Sequence, residues 1–272
     1  MGRLNKALER IKSREAENHT ANVGRRGPVE TSSLVSAKRY HDPISNTTRN
    51  AQLDHDLLAA NHVITKDIDP TVRTAYKMLR TRVLQRMRAN GWRSLAITSA
   101  TQGDGKSLTA VNLAISIAGD VNHNVCLVDL DLRHSSIARY LGLKTKVGVS
   151  DCLSNQIPAD KIFIRPNIER LVVAPNVQQV ENSSEMLSSP AMYELNEMLI
   201  SDPNRIVIYD MPPLLAADDM LAFEPITDAI LLVVSEGATS RTDTVKACEL
   251  LENLNVIGTV LNRSDEKTAS YY

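Results

Sequence analysis

The sequence is poor in aromatic residues and cysteines, and it has no long apolar run. Phe, Trp and Tyr together make up 4% of the chain. Recognition of single-stranded nucleic acid by base stacking is therefore not expected, and no nucleic-acid partner is assigned. The longest apolar stretches, such as Ala229 to Val234, are strand-sized and fall well short of the roughly 20 residues of a membrane span. The opening Met1-Gly-Arg-Leu-Asn-Lys-Ala7 lacks the apolar core of a secretory signal, so a cytoplasmic chain is expected. Cys126, Cys152 and Cys248 are scattered and odd in number, which suits a reducing compartment. The six histidines show no metal-ligand spacing. Between Pro70 and Arg93 there is no acidic residue at all.

What is present is enough for one large domain plus extensions: 272 residues, 43% of them apolar. The net charge of −1 hides an asymmetry. Residues 1–91 carry 17 Lys/Arg and 9 Asp/Glu (+8), and the remainder carries 14 and 23 (−9). A basic first third suits an acidic partner or an anionic membrane surface, or else a basic helix packed on its own acidic domain.

Leu4, Ala7, Leu8 and Ile11 recur at helical spacing, with Lys and Arg on the other face. They predict a short amphipathic helix over residues 1–18. Residues 19–65, rich in Asn, Ser, Thr, Gly and Arg, read as a linker that is partly disordered. Asp69-Pro70 opens a helix running to about Ala89. Strands and helices then alternate. Strands are expected at 94–98, 125–129, 171–174, 206–210, 229–234 and 257–261, with helices at 106–118, 190–200 and 242–254. The strands are continuously apolar rather than alternating, so both faces should be covered. This predicts an α/β domain over residues 66–265, with a mostly parallel, doubly wound sheet. Residues 266–272 form a tail ending Ser270-Tyr271-Tyr272.

Ala100-Thr101-Gln102-Gly103-Asp104-Gly105-Lys106-Ser107 fits the P-loop pattern, with Ala in place of the usual first Gly. Backbone N–H groups from Gly103 to Ser107 can wrap phosphate oxygens only where side chains stay clear. The helix that follows, beginning Lys106-Ser107-Leu108, offers its positive end to the anion. Thr101, Gln102, Gly103, Asp104, Gly105, Lys106, Ser107 and Leu108 are thus the candidate residues for binding a nucleotide triphosphate. Lys106 should reach the β- and γ-phosphates, and the Ser107 hydroxyl should hold Mg²⁺. Two further strands end in carboxylates: Asp129 and Asp131 in Val125-Cys-Leu-Val-Asp-Leu-Asp-Leu-Arg133, and Asp210 in Ile206-Val-Ile-Tyr-Asp-Met-Pro-Pro213. Ligands of open α/β sheets bind beyond the carboxyl ends of the strands, so all three aspartates should converge on the loop. There they can hold Mg²⁺ or accept a proton.

Taken together, these residues resemble the bacterial tyrosine kinase family, the cytoplasmic autokinases of capsule and exopolysaccharide assembly. Val128 to Arg133 resembles that family's second Walker motif, and Asp210-Met-Pro-Pro213 its Walker B segment, with Asp219 at a further common Asp. Gly148 to Leu153 and Asn182 to Ser189 resemble two intervening family segments, and Gly258-Thr-Val-Leu-Asn262-Arg resembles the closing strand. The opening Leu-Asn-Lys-Ala-Leu-Glu-Arg resembles the start of the exosortase-associated subgroup. The resemblance implies transfer of the γ-phosphate of ATP, with Mg²⁺, to tyrosine hydroxyls, and autophosphorylation of Tyr271 and Tyr272. It implies Lys106, Asp129, Asp131 and Asp210 as catalytic residues, with Asp129 or Asp131 the candidate base and Asp129 preferred. It places Ser107, Asp129 and Asp210 at the metal and Asn262 near the adenine. It also implies a homo-oligomer and a membrane-embedded chain-length-determinant partner that recruits the kinase to the inner face of the membrane. The family's Glu-x-x-Arg-x-x-Arg subunit contact falls on Thr74, Lys77 and Arg80, where the glutamate is missing. Two other readings share this fold: a partition or septum-placement switch ATPase, and a nucleotide-binding regulatory module without efficient transfer. The switch ATPases carry a second lysine where this chain has Thr101.

Overall fold

The computed structural model of the chain describes Ile44 and residues 48–264. The helix expected at 1–18, most of the linker, and the tail with Tyr271 and Tyr272 lie outside the described residues.

The described strands are β1 (Arg49–Ala51), β2 (Ser94–Ser99), β3 (Asn124–Asp129), β4 (Ile164–Pro166), β5 (Leu171–Ala174), β6 (Arg205–Asp210), β7 (Ala229–Ser235) and β8 (Val256–Asn262). They form one sheet in the order β1-β4-β5-β3-β6-β2-β7-β8. Every neighbouring pair is parallel except β4 with β5. The expected parallel sheet is thus present, extended at one edge by two three-residue strands too short to read from sequence.

Alternate residues of each central strand enter two separate cores. Ala96, Cys126, Val128, Val207, Tyr209, Ile230 and Leu232 face one side, where Met192, Leu195 and Leu199 of the helix Pro190–Ile200 pack. Leu95, Ile97, Val125, Leu127, Ile206, Ile208, Leu231 and Val233 face the other, against Val111, Leu113, Ala114 and Ile117 of the helix Lys106–Ala118. Both faces are dry, which explains the unbroken apolar runs. The helices around the sheet are α1 (His55–Ala60), α2 (Pro70–Asn90), α3 (Lys106–Ala118), α4 (Ile137–Leu141), α5 (Val149–Leu153), α6 (Ser183–Leu187), α7 (Pro190–Ile200), α8 (Asp219–Phe223) and α9 (Arg241–Leu250).

Residues 48–65, expected within the linker, are instead built into the domain. β1 pairs with β4. Asp54 caps α1 by accepting the Asp56 and Leu57 N–H groups at 2.9 and 3.3 Å. Leu53, Leu58 and Val63 are buried in the core beside α3. The Asn112 side chain accepts the Ile64 N–H at 2.8 Å and donates to the His62 carbonyl at 3.1 Å. Three apolar anchors five residues apart follow neither a helical nor a strand period, so the sequence pattern does not reveal them.

Helix α2 begins at Pro70 as expected, capped by Asp69, which accepts the Thr71 N–H at 2.7 Å. Only Val83 and Met87 of its residues are buried. Its cations divide into two sets. Arg80 donates to the Ser116 carbonyl at 2.9 Å, Arg73 to those of Lys66 and Ile68 at 3.0 and 3.1 Å, and Arg86 to that of Ile257. These three pin the helix to its own domain through carbonyls rather than acidic side chains. Lys77, Arg82 and Arg88 remain on the exposed face.

Leu58 tests whether this first segment belongs to the domain. Leu58→Ala should lower unfolding stability by about 2–5 kcal/mol, as for a buried leucine, in urea titrations. A loss under roughly 0.5 kcal/mol, the range of surface changes, would contradict the packing.

Candidate active site

The parallel register assembles the site. β6 lies between β2 and β3, and Asp210 pairs in register with Asp129 on one side and Ile97 on the other. The two carboxylates therefore lie side by side, about one strand spacing apart, next to the strand that feeds the phosphate loop. Both are fully buried.

The loop after β2 turns through two glycines with positive φ, Gly103 at 87° and Gly105 at 91°, a region that favours residues without a Cβ. At Gly105 a Cβ would also run into the Asn262 amide. Helix α3 starts directly after it, at Lys106. The Lys106 Nζ lies 2.6 Å from Asp131 Oδ2, 3.6 Å from Asp210 Oδ1 and 3.1 Å from the Ser107 hydroxyl. The structure thus brings Lys106, Ser107, Asp129, Asp131 and Asp210 into one cluster.

The electrostatics follow from burial. Desolvation pulls the Lys106 amine down, but Asp210 and Asp131 outweigh it and hold it above the usual lysine range. Desolvation pushes the Asp129 carboxyl well above the usual carboxylate range, with the Asp210 charge adding to it and the Ile137 N–H opposing. Desolvation likewise raises Asp210, against the opposing pull of Lys106. Asp129 Oδ2 accepts the Ser136 and Ile137 N–H groups, each at 3.0 Å. Asp129 Oδ1 and both Asp210 oxygens have no hydrogen-bond partner among the described residues. Buried carboxylate oxygens without donors fit a hard cation, which takes oxygen ligands, and the Ser107 hydroxyl beside Lys106 fits the same role.

The other candidates divide. Thr101 gives its N–H to Asp104 Oδ2 at 2.8 Å, and its hydroxyl lies 3.1 Å from both Asp104 oxygens. These contacts brace the loop. Asp104 is buried and also accepts the Thr239 hydroxyl at 2.7 Å. Gln102 is exposed, and Leu108 half-buried in the first turn of α3. The Asn262 amide donates to the Asp104 carbonyl at 2.9 Å and the Arg263 guanidinium to that of Gly103 at 3.0 Å. Asp219 is fully buried with Arg133 Nε 3.5 Å away. In the subunit-contact positions, the Thr74 hydroxyl donates to the Pro70 carbonyl at 2.8 Å and Arg80 points inward. Sequence reasoning missed Thr239, which lies in no motif and meets the loop only through the fold, and gave no role to Arg263, the last residue of the closing-strand segment.

A glycine loop between a parallel strand and a helix, with a lysine facing strand-end carboxylates, defines a P-loop NTPase. A family model described as ParA, NUBPL iron-transfer P-loop NTPase, matches residues 92–269. The chain is 31% identical over 189 residues to the tyrosine-protein kinase YwqD of Bacillus subtilis, covering 69% of this chain and 79% of that one. Among solved structures, the chimerical protein CapA2B2 superposes with a TM-score of 0.69 at 26% identity, covering 79% of this chain and 93% of that one. The kinase domain of the Escherichia coli tyrosine kinase ETK gives 0.65 at 26% identity, covering 74% and 80%. Within the ParA-type P-loop NTPases, the chain belongs to the bacterial tyrosine kinase family.

The raised carboxyls make a stability prediction. Above the unfolded value near 3.9, the unfolded chain releases protons that folded Asp129 and Asp210 still hold, so their contribution to stability falls as pH rises. Asp210→Asn should therefore raise the melting temperature of the nucleotide-free protein at pH 7 by a few degrees, about 2–4 °C per kcal/mol for a chain this size. The gain should fade as the pH falls towards about 4, where the aspartyl group is neutral as well. A melting temperature that drops at pH 7, or a gain that grows on acidification, would contradict this electrostatic account.

Proposed function

We propose that the chain is an ATP-dependent protein-tyrosine kinase of capsule or exopolysaccharide assembly, with Tyr271 and Tyr272 of its own tail as acceptors. The observation that carries this reading is the convergence of Lys106, Asp131, Asp210 and Asp129 beside a glycine loop of P-loop form. Family membership supports the reaction type.

In this reading the loop amides and Lys106 bind the β- and γ-phosphates of ATP. Ser107, Asp129 and Asp210 are the residues that would hold Mg²⁺, which when bound supplies positive charge against the phosphate oxygens. The tyrosine oxygen forms a bond to the γ-phosphorus as the bond from that phosphorus to the bridging oxygen of ADP breaks. The phenolic proton passes to a carboxylate. Asp129 is the preferred base because its Oδ1 has no hydrogen-bond partner among the described residues, whereas Asp131 is engaged with the Lys106 amine. Asp131 is the counter-ion of Lys106 and must release the amine when phosphates enter. Burial of the cluster strengthens each of these interactions, because little water screens them.

The membrane chain-length-determinant partner belongs to the same proposal. No helix among the described residues is long and apolar enough to cross a membrane. The exposed Lys77, Arg82 and Arg88 of α2 offer an acidic segment of such a partner a cationic face free of acidic residues.

Mass spectrometry of the protein after incubation with Mg²⁺ and ATP tests the function. Phosphotyrosine should appear at Tyr271 or Tyr272 in the wild type and fall by roughly a hundredfold or more in Lys106→Met, the size of effect expected when a transition-state charge partner is removed. Phosphotyrosine that persists in the variant would overturn autocatalysis. Free phosphate without labelled tyrosine would favour a switch ATPase, and neither product a binding module.

A further inference from the structure

A loop that turns its N–H groups toward phosphate turns its carbonyls away, and those carbonyls need donors of their own. Asn262 and Arg263, at the end of β8, supply them to Asp104 and Gly103. The Asp104 side chain poses a sharper problem. It is a buried carboxylate within a loop shaped for a polyanion, where an undersatisfied negative charge would oppose phosphate binding.

Its donors come from two segments. Thr101, in the loop itself, gives its N–H at 2.8 Å, with its hydroxyl at 3.1 Å. Thr239, in the connection from β7 to α9, gives its hydroxyl at 2.7 Å. That same hydroxyl accepts the Ser235 N–H at 2.8 Å. A threonine hydroxyl has one proton to donate, and here it goes to Asp104 while the oxygen holds the end of β7. Thr239 therefore clips the phosphate loop to the neighbouring strand through one atom, and no other residue of that connection makes a hydrogen bond to the loop among those described.

We propose that Thr239 is a positioning residue for the phosphate loop, acting through the Asp104 carboxylate, and that its hydroxyl sets how tightly the chain holds ATP. This rests on the reading of the loop as an ATP cradle. Asp104 belongs to the loop itself, and Thr239 reaches the loop only through the Asp104 carboxylate. Its loss leaves a buried carboxylate one donor short, and the loop can recover hydration only by leaving its phosphate-ready shape.

Equilibrium binding of a fluorescent ATP analogue with Mg²⁺, together with the KM for ATP, tests this in wild type, Thr239→Val and Thr239→Ser. Valine keeps the shape and removes the hydroxyl. It should weaken binding roughly ten- to hundredfold, the range for a charge-assisted hydrogen bond, and raise KM with kcat within about twofold, because the loss is uniform binding. Serine should behave as wild type, which a packing role for the methyl group would not allow. If the valine variant fails to melt cooperatively, the serine–alanine pair decides: serine must bind like wild type and Thr239→Ala roughly tenfold more weakly. Valine or alanine variants that bind as tightly as wild type would overturn the proposal alone, as would a serine variant as weak as valine. A wild type that binds no ATP analogue would sink the nucleotide reading and this inference with it.

Discussion

The rest of the site depends on one buried ammonium held between carboxylates. Lys106 lies 2.6 Å from Asp131 and 3.6 Å from Asp210. Burying Asp129 and Asp210 side by side costs heavily unless something offsets their repulsion, and Lys106 is the cation placed to do so. Without it the carboxyls would stay protonated or the strand ends would separate. The same arrangement that makes the nucleotide-free protein tolerable makes it expectant. The lysine already has a counter-ion of the chemistry a phosphate would bring, and three carboxylate oxygens lack donors.

That cluster is possible because of how the sheet is wound. A parallel sheet with β6 between β2 and β3 puts the ends of all three strands at one edge, and an in-register pairing of Asp129 with Asp210 sets their spacing. Two dry faces keep water from the strand ends. The scaffold around the loop adds the last constraint. Residues more than a hundred positions away, Thr239, Asn262 and Arg263, hold its carboxylate and its carbonyls. The far strands β7 and β8 are in this sense part of the phosphate site.

Much of this was legible in the residues. Continuous apolar runs disclosed buried parallel strands, and Asp69-Pro70 disclosed the start of α2 because proline's backbone suits the first turn of a helix. The glycines and Lys106-Ser107 disclosed the loop, and the strand-end aspartates disclosed their convergence. Other features carry no local signal. Leu53, Leu58 and Val63 are single anchors in a polar stretch, and only the surface they meet makes them core. β1 and β4 have three residues each, too few to show a period. Thr101 had the look of a phosphate contact because of its place in the loop, yet Asp104 three residues on takes its N–H. Thr239 is one more hydroxyl in a turn until the fold sets it against Asp104.

The central claim is that Lys106 exchanges Asp131 for phosphate within this cluster. A crystal structure with Mg²⁺ and a non-hydrolysable ATP analogue measures it most directly. The account predicts the Nζ withdrawn from Asp131 and within hydrogen-bond distance of the β- or γ-phosphate, with the metal at Ser107 and a carboxylate of Asp129 or Asp210. An analogue bound away from Gly103 to Ser107, or bound there with Lys106 still paired to Asp131, would contradict it.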